Sequence, residues 1–344
     1  MNEILRPTTK DLAREAGVSL ATVDRVLNGR PNVSKRSVHS VNEAIDKLGF
    51  FRNIAAVNLA RNRTYKFRFV LPATGDQYLK ALIDQVAETN KSVSSDLIAL
   101  EVAQIDVGDP HNVANYLREI HSGVVDGIAI MAPESPQVRD AMSRLQERGI
   151  KLVQFLSGQE KLKNVDFVGV NNIAAGATAG RIIGQCHPEQ NGAVLVVTET
   201  IQAQDSIERR IGFDHIINEK FPKLRCLPSL ETYADPVRAK RIVERSFQYH
   251  KDIVAVYVMS SEARVPVSAV AECADLNKLT TVVHERTPFT EDAIQTGKID
   301  AIIGQNPGHA VRSAVRIMRA RSDFREPVAS QEKIRIEVLF KENL

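Results

Sequence analysis

Three cysteines, Cys186, Cys226 and Cys273, are all that the 344 residues contain. They are scattered, with neither disulfide nor metal-site spacing, so a reducing, cytoplasmic compartment is expected. No apolar run approaches the ~18 residues of a membrane helix, and the N-terminus lacks the apolar stretch of an export signal. Net charge is small as well: 45 Lys and Arg stand against 42 Asp and Glu, a total of +3. That total identifies no partner. Dinucleotide binding would need Gly-x-Gly-x-x-Gly directly after a strand, but the first strand-like run ends Leu71-Pro72-Ala73-Thr74-Gly75-Asp76. Residues 171–180 carry glycines at a helix start with the wrong spacing, and the expectation there is close helix–sheet packing. No Ser/His/Asp, Cys/His or paired-carboxylate set can be placed by spacing. The expectation is a chain that is not an enzyme, with no cofactor and no metal.

The charge that is present is unevenly distributed. Residues 1–66 hold 12 Lys and Arg against 6 Asp and Glu, a net of +6. The other 278 residues hold 33 against 36, a net of −3. A basic block on a mildly acidic body is what phosphate contact requires. Inside that block, residues 9–28 spell a short helix, a turn at Gly17 and a second short helix. Leu12, Ala13 and Ala16 can face Val23, Val26 and Leu27 at helical spacing. Thr9, Ser19 and Ser34 are placed to cap three successive helices, the third running to about Leu48. The second helix then presents Leu20, Ala21, Asp24 and Arg25 outward. Arg25 suits bidentate contact with guanine, while Leu20 and Ala21 suit a thymine methyl or close approach to base edges. This is the layout of a helix-turn-helix; the competing reading is any small helical hairpin with a polar outer face.

From residue 67 onward, short apolar runs alternate with amphipathic helical stretches. The runs fall at 67–71, 97–102, 127–131, 152–156, 167–170, 193–197, 253–258, 281–283 and 301–303. Helices are expected at 138–148, 173–184, 237–247 and 310–319, among others. The pattern predicts an α/β fold of parallel sheets. About ten strands are too many for one small sheet, so two Rossmann-like lobes are expected, binding ligand at the carboxyl ends of their strands.

With these residues in view, 9–28 resemble the headpiece of LacI/GalR-type bacterial transcriptional regulators, and the likeness extends over nearly the whole chain. Leu48-Gly49-Phe50 followed by 53–60 looks like the family's hinge helix. The remainder resembles the type I periplasmic-binding-protein-like effector domain, nearest its ribose-binder branch. The carrying motifs are Val125-Asp126-Gly127, Val168-Gly169-Val170-Asn171-Asn172, Glu208-Arg209-Arg210-Ile211-Gly212-Phe213, His284-Glu285 and Gly304-Gln305-Asn306-Pro307-Gly308-His309. The resemblance implies a headpiece at 1–50, a hinge at 51–66 and an effector and dimerisation domain at 67–344. Its N-lobe is expected at about 67–186 and 307–325, its C-lobe at about 187–305 and 326–344.

The function implied is a ligand-responsive regulator, a repressor, that changes operator affinity when a sugar or related polyol occupies the cleft. Its partners would be a roughly palindromic double-stranded DNA operator, the small-molecule effector and a second copy of the chain, with no membrane. DNA contacts are expected from Thr9, Ser19, Leu20, Ala21, Thr22, Arg25 and Asn28, and from Asn53, Ala56 and Leu59 in the hinge. Nine hinge residues are too few for a stable isolated helix, so hinge folding would be coupled to DNA binding. Leu59 would then wedge into the minor groove, against the simpler reading of a linker residue packed on the body. The effector positions carried over are Asp76, Tyr78, Ser157, Asn171, Arg209, Ser260, Glu285 and Gln305. Arg209 could instead be a surface helix residue, and Glu285 could pair with Arg286. The chain departs from the family at Asp24, where a phosphate-contacting Ser is usual, and at Arg52, where a proline precedes the hinge. Leu156-Ser157-Gly158 also replaces an acidic–basic pair, so a pentose, an inositol and a phosphorylated sugar all remain open. The alternatives are a stand-alone sugar-binding protein and a carbohydrate-processing enzyme.

Overall fold

A computed structural model describes residues 7–27, 32–50, 64–159 and 161–344. Asn28 and the hinge positions Asn53, Ala56 and Leu59 lie outside the described residues. The chain divides into two compact units, 1–63 and 64–344.

In the first unit, α1 (Thr9–Glu15) is capped by Thr8 rather than Thr9. The Thr8 hydroxyl accepts the Asp11 N–H while the Asp11 carboxylate accepts the Thr8 N–H at 2.9 Å. Asp11 stands three residues after Thr8, and this reciprocal pair sets the helix start one residue early. Gly17 turns the chain with φ +63°, a region that favours glycine. The Thr22 N–H then donates to the Ser19 hydroxyl at 3.1 Å, opening α2 (Leu20–Leu27). Ser34 caps α3 (Lys35–Leu48) through the Ser37 N–H at 3.0 Å. The three helices close on Leu12, Val23, Val41, Ala44 and Phe50, with Ala13, Ala16, Val26 and Leu27 partly buried against them.

The second unit is two parallel sheets with helices on both faces. The first lobe runs β1 (Tyr65–Pro72), α4 (Gln77–Val93), β2 (Ile98–Ile105), α5 (Pro110–Arg118), β3 (Gly127–Ile130), α6 (Pro136–Glu147), β4 (Lys151–Phe155) and β5 (Asp166–Val168). The second runs α7 (Asn172–Cys186), β6 (Gly192–Thr198), α8 (Gln204–Lys220), β7 (Leu224–Cys226), β8 (Leu230–Glu231), α9 (Pro236–Tyr249), β9 (Ile253–Val258), α10 (Arg264–Cys273), β10 (Thr280–His284), α11 (Pro288–Gln295) and β11 (Ala301–Gly304). The chain then returns through α12 (Pro307–Ser322) to the first lobe and through α13 (Ala329–Glu332) to β12 (Glu337–Leu339) in the second.

Strand order is β2-β1-β3-β4-β5 in one sheet and β12-β11-β10-β9-β6-β7 in the other, with β8 beside β6. Among the described strands only β12 is antiparallel to its neighbour, β11. The nine strands expected from apolar runs are present, while β7, β8 and β12 were not foreseen. They are two or three residues long and half-exposed, so they carry no continuous apolar run. The order reverses between β1 and β3 and between β6 and β9, the places where open parallel sheets hold ligands.

The expected lobe boundary near 186 is displaced. Ala175, Ala179 and Ile183 of α7 bury against Val194 and Val196 of β6 and Phe213 of α8, so α7 belongs with the second sheet. The chain first crosses between lobes near Gly169–Asn171 and crosses again at Gln305 and between α12 and β12. The glycines of α7 also serve another purpose than the one expected. A Cβ on Gly176 would overlap the Arg209 carbonyl, and one on Gly212 would overlap that of Ile173. The glycines therefore bring helix to helix, α7 to α8, while Ala175 and Ala179 of the same stretch pack on the sheet as expected.

Candidate functional site

On the first unit, Leu20 is 47% exposed, and Ala21 and Arg25 are also exposed. Leu12 and Val23 are fully buried, so the short helix α2 turns one face into its own core and leaves the other open. Thr22 is partly buried and its hydroxyl meets that of Ser19 at 2.9 Å. Asp24 is half-buried. Leu20, Ala21 and Arg25 therefore share the open face of α2.

In the second unit, Arg209 is not a surface residue: it is 3% exposed, on the first turns of α8. Its Nη1 donates to the Met259 carbonyl at 2.6 Å, and its Nε to Asn172 Oδ1 at 3.1 Å. Its guanidinium also faces Glu285 at 3.5 Å and Asp205 at 3.6 Å. Glu285, directly after β10, is 2% exposed and held at φ +63°. Its partner is Arg209 rather than Arg286, which instead donates to Glu291 at 2.5 Å. Burial pushes the Glu285 carboxyl up to about 7, against the pull of Arg209 and the hydrogen bonds from Gln305. The Gln305 backbone N–H and side-chain amide both donate to Glu285, at 3.3 and 3.4 Å. Gln305 Oε1 in turn accepts the Val170 N–H at 3.2 Å. Val170 and Gln305 belong to two of the crossovers, so this chain of bonds joins the lobes where they hinge.

Tyr78, at the start of α4, completes the cluster from the first lobe. Its hydroxyl is buried without a hydrogen-bond partner. Burial, and then the charge of Glu285, push that hydroxyl well above its ordinary range. Asp76, two residues earlier, caps α4 through the Leu79 N–H at 3.0 Å. Behind the cluster, the Tyr257 hydroxyl meets His284 Nε2 at 2.8 Å, and Phe213 stacks on Tyr257 at 4.4 Å. Burial, reinforced by Arg209, holds His284 well below its usual value. A neutral His284 therefore sits under a site that already contains one guanidinium.

The other expected positions are placed differently. Ser157 exchanges both hydrogen bonds with the Ala132 backbone, each 3.1 Å. Asn171 caps α7 through the Ala174 N–H at 2.9 Å. Both line a cavity of about 1000 Å³ whose wall includes Gln154, Asp205, Glu208 and Arg335. Asp205 connects that cavity to Arg209. Ser260, after β9, is buried and spends its hydroxyl on the Glu262 carbonyl at 3.4 Å. Residues that the sequence did not single out are Asn172, which orients Arg209, and Asp205, which pairs with it one helical turn earlier. The i, i+4 spacing of Asp205 and Arg209 was a usable signal; nothing local distinguished Asn172 from Asn171.

Among the described residues no group of His, Cys, Asp or Glu could hold a metal ion, and no helix is long and apolar enough to cross a membrane. The hydroxyl–imidazole pair of Tyr257 and His284 is buried behind the cluster. Arg209, Glu285 and Gln305 bond to protein groups, and the Tyr78 hydroxyl is left unpaired beside them.

Residues 8–53 match the family described as bacterial regulatory proteins of the lacI family, and residues 67–326 match the periplasmic binding protein domain. Catabolite control protein A of Priestia megaterium is 32% identical over 263 residues, which cover 76% of this chain and 72% of that protein. The HTH-type transcriptional regulator RegA of Clostridium saccharobutylicum is 28% identical over 248 residues, 63% of this chain and 72% of the relative. Among solved structures, a solute-binding protein of Burkholderia graminis in complex with D-arabinose has a TM-score of 0.70 at 21% identity, covering 82% of this chain and 96% of that one. One from Actinobacillus succinogenes with bound D-allose has a TM-score of 0.73 at 16% identity, covering 81% and 99%. At those identities the likeness shows the fold.

Proposed function

We infer that this chain, which belongs to the lacI family of bacterial regulatory proteins, couples occupancy of the Arg209–Glu285–Gln305 cluster to the operator affinity of its headpiece. It is a ligand-responsive, DNA-binding transcriptional regulator with a sugar-type effector domain. The finer assignment rests on one observation: the bonds from Arg209 through Glu285 and Gln305 to Val170 cross from one lobe to the other. A ligand that takes over these partners changes how the lobes are held at their crossovers. In a homodimer on a roughly palindromic operator, that change alters the spacing of the two headpieces. The coupling is bounded by the ligand's differential affinity for the two states, about 1–3 kcal/mol, or 5- to 150-fold in DNA affinity.

In this reading Leu20, Ala21 and Arg25 contact base edges, and Thr9, Ser19 and Thr22 contact the backbone around them. Asp76, Tyr78, Arg209, Glu285 and Gln305 contact the effector, and Ser157, Asn171 and Ser260 shape the surrounding walls. The protein acts as a repressor in the cytoplasm, where the operator is.

The test is a gel shift on DNA from the chain's own promoter region, combined with a thermal-shift screen of sugars, polyols and their phosphates. Arg209→Ala is expected to bind the operator normally and to lose the ligand response. A normal response from that variant overturns the assignment of the cluster. Absence of specific DNA binding by the wild-type chain overturns the coupling to an operator.

A further inference from the structure

The carboxyl ends of the second sheet are crowded with negative charge. Strands β10, β9 and β6 are adjacent, and each is followed within four residues by a glutamate: Glu285, Glu262 and Glu199. Asp205 opens α8 beside them, and Asp76 approaches from the switch point of the other sheet. The crowding is felt: after burial, Asp76, Glu262 and Asp205 are what raise the Glu199 carboxyl above its ordinary range. Among the described residues, two arginines pair with these carboxylates. Arg209 is shared between Glu285 and Asp205, at 3.5 and 3.6 Å. Arg264 lies 3.7 Å from Glu262 and is 62% exposed.

A second observation marks the same place as a ligand site. The Tyr78 hydroxyl is buried without a partner, and the charged groups it senses are Glu285, Arg209 and Asp76, with Glu337 of β12 last. A buried hydroxyl without a hydrogen bond is destabilising, and a ligand hydroxyl at this point would relieve that cost. The carboxylates are too dispersed to be answered by a metal ion: no cluster among the described residues could coordinate one. Such carboxylates accept from N–H and O–H donors of an extended polar molecule, and from a charged ammonium most strongly.

We propose that the effector is a hydroxylated organic cation, an amino sugar or amino polyol. Its ammonium lies among the carboxylates that end β6, β9 and β10, and a hydroxyl meets Tyr78. The proposal rests on the reading of this cluster as the effector site, and it sharpens that reading by excluding phosphorylated and carboxylated sugars. An anion entering here would meet these carboxyl groups with both nearby guanidiniums, Arg209 and Arg264, already paired. In a low-dielectric cleft such like-charge contacts are heavily penalised.

The test is isothermal titration and thermal shift of the full chain with D-glucosamine, D-galactosamine and D-mannosamine. Each is run beside its neutral parent hexose and the parent's 6-phosphate. At least one amino hexose is expected to bind ten-fold or more tightly than its parent, with the phosphates showing no shift. Raising the salt from 50 to 500 mM is expected to shrink that ratio, because the selectivity is electrostatic. Glu262→Gln is expected to reduce the ratio without removing the parent's binding, and Tyr78→Phe to weaken amine and parent together. A phosphate that binds, a parent equal to its amine, or no binding by any amino hexose overturns the proposal. Operator binding in a gel shift is read in parallel. A neutral or phosphorylated hexose that binds and alters the gel shift refutes the cation and leaves the regulator reading standing. Loss of the cation together with an Arg209→Ala variant that still responds to ligand refutes both.

Discussion

Glu285 is the residue on which the most constraints converge. It holds a left-handed backbone conformation, φ +63°, of the kind that costs about 1–3 kcal/mol in a residue with a side chain. The surroundings hold it there: its N–H donates to the Ile303 carbonyl at 2.9 Å, and its own carbonyl accepts the Thr290 hydroxyl at 2.9 Å. Its carboxyl titrates at about 7 when folded, chiefly because it is buried, against about 4.3 when the chain is unfolded. The folded state therefore binds the extra proton between those values. The stability this contributes is complete below the unfolded value and is lost as pH rises through 7. The melting temperature is expected to fall between pH 5 and 8 in low salt, and Glu285→Gln, which keeps an amide in place of the carboxyl, to flatten that fall. Parallel pH profiles for the two proteins would refute the assignment of the slope to Glu285.

Elements show why parts of the fold were legible and others were not. Central parallel strands are buried on both faces and appear as unbroken apolar runs, as β6 does from Gly192 to Thr198. The edge strands β7 and β12 have no such run. The α7 glycines were visible as a pattern, but nothing local says whether a helix face of small residues meets a sheet or another helix. At the site, Arg209, Glu285 and Gln305 were reached through the family resemblance, because their partners lie 20 to 135 residues away along the chain. Two alanine substitutions on α7 test the helix crossing. At Gly180 a Cβ would come no closer than 3.1 Å to the Phe213 carbonyl, so Gly180→Ala is expected to be near neutral, its tight contact offset by about 1 kcal/mol of helix propensity. At Gly176 the Cβ would overlap the Arg209 carbonyl, so Gly176→Ala is expected to lose about 1–3 kcal/mol despite the same propensity gain. It should also blunt the ligand response by displacing Arg209. Equal denaturation midpoints for the two variants would show that the close crossing does not constrain α8.

The same reasoning applies to α2. Arg25 is exposed on the face opposite the buried Val23. If it reads a base, Arg25→Ala costs about 1–3 kcal/mol on the operator and relaxes discrimination at one base pair. If it touches phosphate, the loss is uniform across sequences and the salt slope falls by about 1. The first outcome is expected, measured by gel shift on the operator and on single-base variants of it. The second would move the reading face elsewhere on the helix.

For the molecule as a whole, charge and compactness divide at the same place. Residues 64–344 form one compact unit and hold 34 Lys and Arg against 36 Asp and Glu. The positive excess therefore lies wholly in residues 1–63, which form a separate unit with a core of their own. Nonspecific DNA affinity depends on cations that displace counterions, with log K falling by about 0.9 per phosphate neutralised for each unit of log salt. A protein lacking residues 1–63 is expected to melt cooperatively, since every strand and both faces of each sheet are retained. It should keep the full effector-induced rise in melting temperature, because Tyr78, Arg209, Glu285 and Gln305 all remain. Its DNA affinity is expected to vanish even at 50 mM salt, where the intact chain should bind with a steep salt slope. The three readouts separate the two units: a body that still binds DNA would place phosphate contacts outside the headpiece. A body that folds and binds DNA no longer, yet fails to respond to effector, would instead show that the cleft depends on the segment removed.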